Sequence, residues 1–342
     1  MLGTSGKFNE NTIVDRAVTG ARELSLRVQR FGATDLQVSP FGLGCARIGG
    51  IFKSNPADFV TLLSTAYDRG INFFDTADIY SQGESERLIG RAFRGRRDRI
   101  IIASKAGYVL PSQRRLAARL KPLLRPVIRL VRLARSRVPA AVRGSLQQDF
   151  SAPYVTRSIE GSLHRLGTDY LDLFQLHSPP LDVVESGEVF AELERLKQHG
   201  KIRYYGVSCD SVDVALAALR HPGVSSLQVV INMLERAALA ALPGARERGV
   251  GVIARECLAN GLLVKPLDEI DVRAYSQSDE EAARKRQQLE EYHRLSSESG
   301  RPIARLALDY VSGLDGVAVS LIGVSRLEQL QELMATALPQ AG

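Results

Sequence analysis

The chain has 342 residues, 44% of them hydrophobic and 24% charged, with a formal net charge of +7. That length exceeds a typical domain but suits one α/β barrel around a single large core, and no uninterrupted apolar run approaches the ~18 residues that a membrane span needs. Cys45, Cys209 and Cys257 are odd in number and widely spaced, which argues against a disulfide framework and for a reducing cytoplasm.

Residues 1–25 read as an N-terminal extension, with mixed charge and no apolar leader core. From residue 26 to 342 the chain reads as one domain. Leu26–Phe31 and Leu36–Ser39 flank Gly32-Ala-Thr-Asp35 as a hairpin. Strand-like runs then alternate with helical periodicity, the pattern of parallel βαβ units. The strands fall near Pro40–Leu43, Asn72–Phe74, Ile100–Ala103, Leu171–Leu176, Arg203–Val207, Leu227–Ile231, Val250–Ala254 and Val317–Ile322. Helices are predicted over Asp58–Arg69, Glu84–Phe93, Tyr154–Leu166, Val189–Gln198, Val212–Leu219, Ala238–Arg248, Glu280–Ser297 and Leu327–Met334. Eight of each close a (β/α)8 TIM barrel.

The rhythm breaks after the third strand, where residues 108–150 form a long insertion. Between Val109 and Gln148 lie ten basic residues and no acidic one, so the basic excess of the chain belongs to this segment and the rest is net acidic. Leaving the C-terminal end of a barrel strand, it is expected at the active-site mouth. It reads as a solvated helical excursion, a wall or lid of the site, or a basic amphipathic element touching an anionic membrane. Nucleic-acid binding is the reading least supported, since no aromatic residue lies between Val109 and Gln148 to stack on bases.

Four polar residues follow short apolar runs and so emerge where buried strands end: Asp75 and Tyr80 in Asn72-Phe-Phe-Asp-Thr-Ala-Asp-Ile-Tyr80, Lys105 in Ile100-Ile-Ile-Ala-Ser-Lys105, and His177 in Leu171-Asp-Leu-Phe-Gln-Leu-His177. Taken singly, each has an ordinary reading: a helix cap, a loop aromatic, a solvated strand end, a core histidine. Together at one end of consecutive strands they can make a proton donor of a phenol whose reference pKa is about 10. A cation beside Tyr80 favours the phenolate, and Asp75 fixes the Lys105 ammonium. A zinc site of the three cysteines with His177 has no C-x-x-C pair behind it, so no metal is expected.

At these residues the sequence resembles the aldo-keto reductase superfamily, whose tetrad reads here as Asp75, Tyr80, Lys105 and His177. The resemblance runs from about Leu26 to Met334. It takes in Gly42-Leu-Gly-Cys45, Asp75-Thr-Ala-Asp-Ile-Tyr80, His177-Ser-Pro179, Gly200-Lys-Ile-Arg203, Tyr205-Gly-Val-Ser208 and Ile322-Gly-Val-Ser-Arg326, in the family's order. It implies that the N-terminal hairpin plugs the bottom of the barrel and that NADP(H) lies extended across the top, since no Rossmann G-x-G-x-x-G is present. Ala46, Asp75, Ser208, Gln228, Arg255, Leu258 and Asn260 then fall at cofactor positions. Ser208 and Gln228 would hold the nicotinamide carboxamide, and Arg255 would stack on the ring or pair with Glu256 or Asp309. Gly323, Ser325, Arg326 and Gln329 stand at the last strand-to-helix turn, where backbone N–H groups and a positive helix end suit the adenosine 2′-phosphate. Two positions depart from the family: Cys209 replaces an Asn beside the carboxamide, and Leu333 an Asn that contacts adenine.

The implied activity is NADPH-dependent reduction of an aldehyde or ketone, or its reverse, in the cytoplasm, with Tyr80 as general acid and His177 orienting the carbonyl. A cofactor-binding scaffold or redox sensor with slow turnover is the other reading, since potassium-channel β subunits use this fold. The implied partner is a small carbonyl compound. The chain has no tryptophan, and Arg47, Arg255 and the basic insertion favour an anionic substrate.

Overall fold

A computed structural model describes residues 28–48, 55–109 and 147–336. Eight parallel strands close into a barrel: β3 (Phe41–Gly44), β4 (Phe73–Asp75), β5 (Ile101–Ala106), β6 (Leu171–His177), β7 (Ile202–Ser208), β8 (Val224–Val230), β9 (Gly251–Arg255) and β10 (Val317–Ile322), the last pairing back onto β3. The expected (β/α)8 architecture is therefore present. Ahead of it, β1 (Gln29–Arg30) and β2 (Gln37–Val38) pair antiparallel as the predicted hairpin. Its Phe31, Leu36 and Val38 are buried with Phe73, Ala103, Leu173, Ile253 and Val319, so the hairpin plugs the barrel as the resemblance implied.

The two-residue side-chain period of a strand decides what faces inward. In β4, Phe73 belongs to the inner cluster and Phe74 to the outer layer, which turns Asp75 inward. In β5, Ala103 faces in and Ile102 out, so Lys105 is inward; in β6, Leu173 faces in and Phe174 and Leu176 out, so His177 is inward. The same alternation puts Ser208 and Gln228 inside, directly after outward Val207 and Leu227 on their strands. The barrel thus has an apolar floor from the start of its strands and a polar top from their ends. Between the two, Gln175 donates to Ser226 Oγ (3.1 Å). Gly206 lies beside them in the register, where a Cβ would come within 2.0 Å of Ser226 Oγ, so this layer closes only around glycine.

Helices cover the outside with local signals that the sequence carries. Asn55 caps α1 (Pro56–Asp68), its side chain accepting from Ala57 N, and α2 (Glu84–Ala92) follows the turn after Tyr80. After the insertion, α3 (Ala152–Leu166) ends at left-handed Gly167. Next come α4 (Leu181–Ser186), α5 (Glu188–Gln198), α6 (Val212–Ala218), which Ser211 caps, and α7 (Leu242–Glu247).

Two predicted helices change. Ala238–Arg248 divides into a 3-10 turn at Ala237–Ala241 and the short α7, with Pro243 at the boundary. Glu280–Ser297 is α8 (Asp279–Ser299), but it buries only Lys285, Leu289 and Tyr292. The helix leading into β10 is instead α9 (Ile303–Ser312), where seven of ten residues are buried. Ile303, Ala304, Ala307, Leu308 and Val311 do carry helical spacing, but α9 is short and follows α8 after only Gly300, Arg301 and Pro302, and α8 already fills the place of the one helix expected between β9 and β10. The final helix is α10 (Leu327–Thr336). The extension 1–25 and the bulk of the insertion, 110–146, lie outside the described residues. No helix among those described is long and apolar enough to cross a membrane.

Candidate active site

The polar top converges on one ion pair. Lys105 Nζ lies 2.6 Å from Asp75 Oδ1 and donates also to Thr76 O at 2.9 Å; the two side chains are 1% and 5% exposed. From the far side of the barrel Gln228 Nε2 donates to the same Asp75 oxygen at 2.8 Å, and Ser208 Oγ donates to Gln228 Oε1 at 3.2 Å. A buried charge pair is held only where such extra bonds satisfy its remaining polar atoms. The register sets His177, Ser208 and Gln228 side by side on β6, β7 and β8.

Tyr80 arrives on the loop after β4, which the Asp78 N–H anchors to Lys105 O at 2.9 Å. Beyond it, Ser81, Gln82 and Gly83 have φ of 50°, 61° and 80°. Left-handed backbone at two non-glycine residues stores strain; Ser81 is held by its Oγ donating to Ile48 O at 2.9 Å. Lys105 Nζ lies 5.4 Å from the Tyr80 ring centroid, and the His177 ring meets Tyr80 edge-to-face at 5.7 Å. All four tetrad residues are therefore brought together.

The electrostatics differ from the expectation in one respect. Burial, reinforced by the Asp75 charge, pushes the Tyr80 phenol up from its ordinary value, with only partial relief from Arg255. In this arrangement Tyr80 holds its proton firmly, rather than being acidified by the neighbouring cation. Burial lowers Lys105, opposed by Asp75. His177 is pushed down to about 3 by burial and then by the charges of Lys105 and Arg255. Its imidazole is thus neutral at physiological pH, and its Nδ1 is buried without a partner.

The three thiols are free and buried; Cys257 is pushed up to about 12 by burial, and Cys45 and Cys209 higher by the same cause. Among the described residues no cluster of three or more His, Cys, Asp or Glu could hold a metal ion.

The positions aligned with a cofactor line the same face. Ala46 is exposed beyond β3, and Leu258 and exposed Asn260 follow β9. Arg255 Nη2 bonds Asp210 Oδ1 and Nη1 bonds Glu256 Oε1, both at 2.6 Å, while Asp309 takes Arg301 and Arg305 instead. Glu256 also accepts from Asn260 Nδ2 at 2.6 Å. A cavity of about 370 Å³ opens beside this cluster, lined by Asp210, Asn232, Glu256, Asn260, Tyr275 and Lys285 among others. At the last turn, Gly323 is exposed with open space where a Cβ would stand, and Arg326 is exposed. Ser325 N and Oγ both donate to Gln329 Oε1, at 3.0 and 3.1 Å.

The Aldo/keto reductase family pattern matches residues 40–339. The chain belongs to that family. As a member it is an oxidoreductase of the kind that acts on small-molecule carbonyl compounds with a nicotinamide cofactor. It is 32% identical to the uncharacterized oxidoreductase YqkF of Bacillus subtilis, over 90% of each chain. It is 28% identical to the L-galactose dehydrogenase of Arabidopsis thaliana, over 91% of this chain and 88% of that one. Among solved structures it is similar to the aldo-keto reductase AKR11C1 from Bacillus halodurans in its holo form, with a TM-score of 0.68, 28% identity and coverage of 91% and 90%.

Two residues escaped the sequence reading. Tyr108 lies edge-to-face on the other side of His177 at 4.9 Å; standing three residues past Lys105 at the same strand end, it carried a usable signal. Gln148 bonds the backbone at His177 and Ser178, and no local pattern marks it, because its place depends on where the insertion rejoins the barrel.

Proposed function

We propose that this protein reduces an aldehyde or ketone to the alcohol, or runs the reverse, with NADPH as cofactor and Tyr80 as general acid. The observation that carries this reading is the buried Asp75–Lys105 pair set against the Tyr80 ring, with neutral His177 edge-on beside it. Bound reduced nicotinamide supplies the hydride that adds to the carbonyl carbon. As the C=O electron pair moves onto oxygen, Tyr80 gives its proton to that oxygen, and the phenolate left behind is met by the Lys105 ammonium and reprotonated from solvent. Neutral His177 has one N–H to donate to the carbonyl oxygen, which orients it. General acid catalysis of this kind contributes about 10² to 10⁴ in rate, and positioning supplies much of the rest.

The donors present fit a dinucleotide. Ser208 and Gln228 lie at the level of His177, where the Ser208 hydroxyl oxygen and the second N–H of Gln228 remain to match a carboxamide, and the buried Arg255 Nε lacks a partner. Exposed Arg326, one residue ahead of α10, supports NADPH over NADH, since a positive helix end and a guanidinium both favour the 2′-phosphate. Ser325 contributes less than the sequence implied, because Gln329 takes both its donors. An anionic substrate loses the support of Arg255, whose charge is met by Asp210 and Glu256; a small carbonyl compound is the class that remains. The buried free thiols accord with a reducing cytoplasm.

The test is Tyr80→Phe with NADPH and a reactive aromatic aldehyde. Reduction is expected to fall at least a hundredfold while NADPH affinity stays near wild type. Retention of a tenth or more of kcat removes Tyr80 as the acid. Tight NADPH binding by the wild type with no turnover of any carbonyl would instead favour the scaffold reading.

A further inference from the structure

The two ends of segment 110–146 meet against His177. The chain leaves β5 through Gly107 and Tyr108 and returns through Gln147 and Gln148. Val109 N donates to Gln147 O at 2.8 Å and Asp149 N to Gly107 O at 2.9 Å, while Tyr108 and Gln148 form an antiparallel bridge. The Tyr154 hydroxyl on α3 fastens this root to the barrel by donating to Tyr108 O at 2.9 Å.

Two side chains of the root reach the histidine. The Tyr108 ring packs edge-to-face on the imidazole at 4.9 Å, with Tyr80 against it at 5.7 Å. Gln148 Nε2 donates to Ser178 O at 2.8 Å and, at the edge of bonding distance, to His177 O at 3.4 Å. Ser178 has φ of 54°, a conformation that persists only where neighbours hold it. The approach is close enough to demand Gly107, with φ of +151°, where a Cβ would meet the Phe150 ring at 2.5 Å and His177 O at 3.1 Å. His177 Nδ1 has no hydrogen-bond partner, so the imidazole is aimed by its backbone and by the rings beside it, not by a bond to its own buried nitrogen.

We infer that Gln148, with Tyr108, is a positioning clamp for His177: it fixes the strand end and the ring, and through them the direction in which the substrate carbonyl is held. Gln148 touches neither substrate nor cofactor in this scheme. The inference rests on His177 being the residue that orients the carbonyl.

Gln148 is exposed, so Gln148→Met keeps length and bulk, removes the donor and leaves the core alone. The full chain is assayed as wild type, Gln148→Met, His177→Ala and the double variant, with NADPH and an aromatic aldehyde. Misplacing a group at a reacting centre by an ångström can cost up to about a hundredfold. Gln148→Met is expected to lower kcat about tenfold, with the NADPH dissociation constant and thermal midpoint unchanged, and to cost nothing further in the His177→Ala background. An unchanged kcat overturns the clamp. An equal loss with and without His177 also overturns it, since Gln148 would then act elsewhere. A His177→Ala variant with full kcat fails the reading of His177 itself, and the clamp falls with it.

Discussion

Asp75→Asn isolates the charge that holds the centre together. The amide keeps the oxygen that accepts from Lys105 and from Gln228, which stand at 2.6 and 2.8 Å, but it leaves a fully buried ammonium without a counter-charge. Breaking a buried pair by removing one partner costs about 3–5 kcal/mol, a large part of a typical stability of about 5–15 kcal/mol. The loss is bounded because Lys105, already lowered by burial and sustained by Asp75, can shed its proton. That escape makes the cost depend on pH in a definite direction. With Asp75 gone, the folded-state pKa of Lys105 falls further below its unfolded value of about 10.4. Between those two values the unfolded chain binds one proton more than the folded variant, so stability of the variant rises with pH. Its deficit against wild type should therefore be largest in mildly acid to neutral solution and shrink by up to about 1.4 kcal/mol per pH unit as pH climbs above the variant's Lys105 pKa. Urea unfolding of both proteins at several pH values between 6 and 9.5 measures this difference directly. A variant within about 0.5 kcal/mol of wild type, or a deficit that does not change with pH, would refute the ion pair as the element that holds Lys105 charged.

Arg326→Ala should weaken NADPH far more than NADH, by about 1.5–3 kcal/mol or roughly ten- to a hundredfold in affinity; titration of both cofactors checks it, and equal losses would show that Arg326 does not read the 2′-phosphate. His177, whose folded-state pKa is about 3, should stay neutral from pH 5 to 8. The kcat/KM profile should then lack an acid limb near pH 6.5. A limb there that disappears in His177→Ala would show that the imidazole titrates in the working range. Because its folded-state pKa is depressed, the same histidine should cost stability as pH falls from about 6.5 towards 3, visible as a steeper acid unfolding curve than that of His177→Asn.

The barrel and the convergence of Asp75, Tyr80, Lys105 and His177 at its mouth were legible because both rest on local signals. Apolar runs of strand length, a period of two within them and polar residues at their ends determine which side chains face inward at the C-terminal mouth. Asp75, Lys105 and His177 follow from that arithmetic alone, and Tyr80 from its distance along one loop. Helix α9 carries the same kind of periodic signal, with Ile303, Ala304, Ala307, Leu308 and Val311 on one face, but one helix is expected between β9 and β10 and the longer α8 takes that place.

What only the tertiary structure decided is the set of relations between loops. Arg255 could be read as stacking or pairing; its contacts with Asp210 and Glu256 depend on how the ends of β7 and β9 stand relative to each other. The direction in which Tyr80 shifts is of the same kind: a neighbouring cation can be inferred from spacing, but the desolvation and the Asp75 charge that push the phenol up depend on what the whole barrel mouth excludes. Gln148 is the clearest case. It lies far along the chain from Lys105 and beyond a segment with no strand or turn signal to fix its return, and it comes to the histidine backbone only because the two ends of that segment pair with each other. Side-chain direction within a strand is set by residues one and two positions away, whereas the closure of a long loop is set by contacts that sequence spacing does not encode.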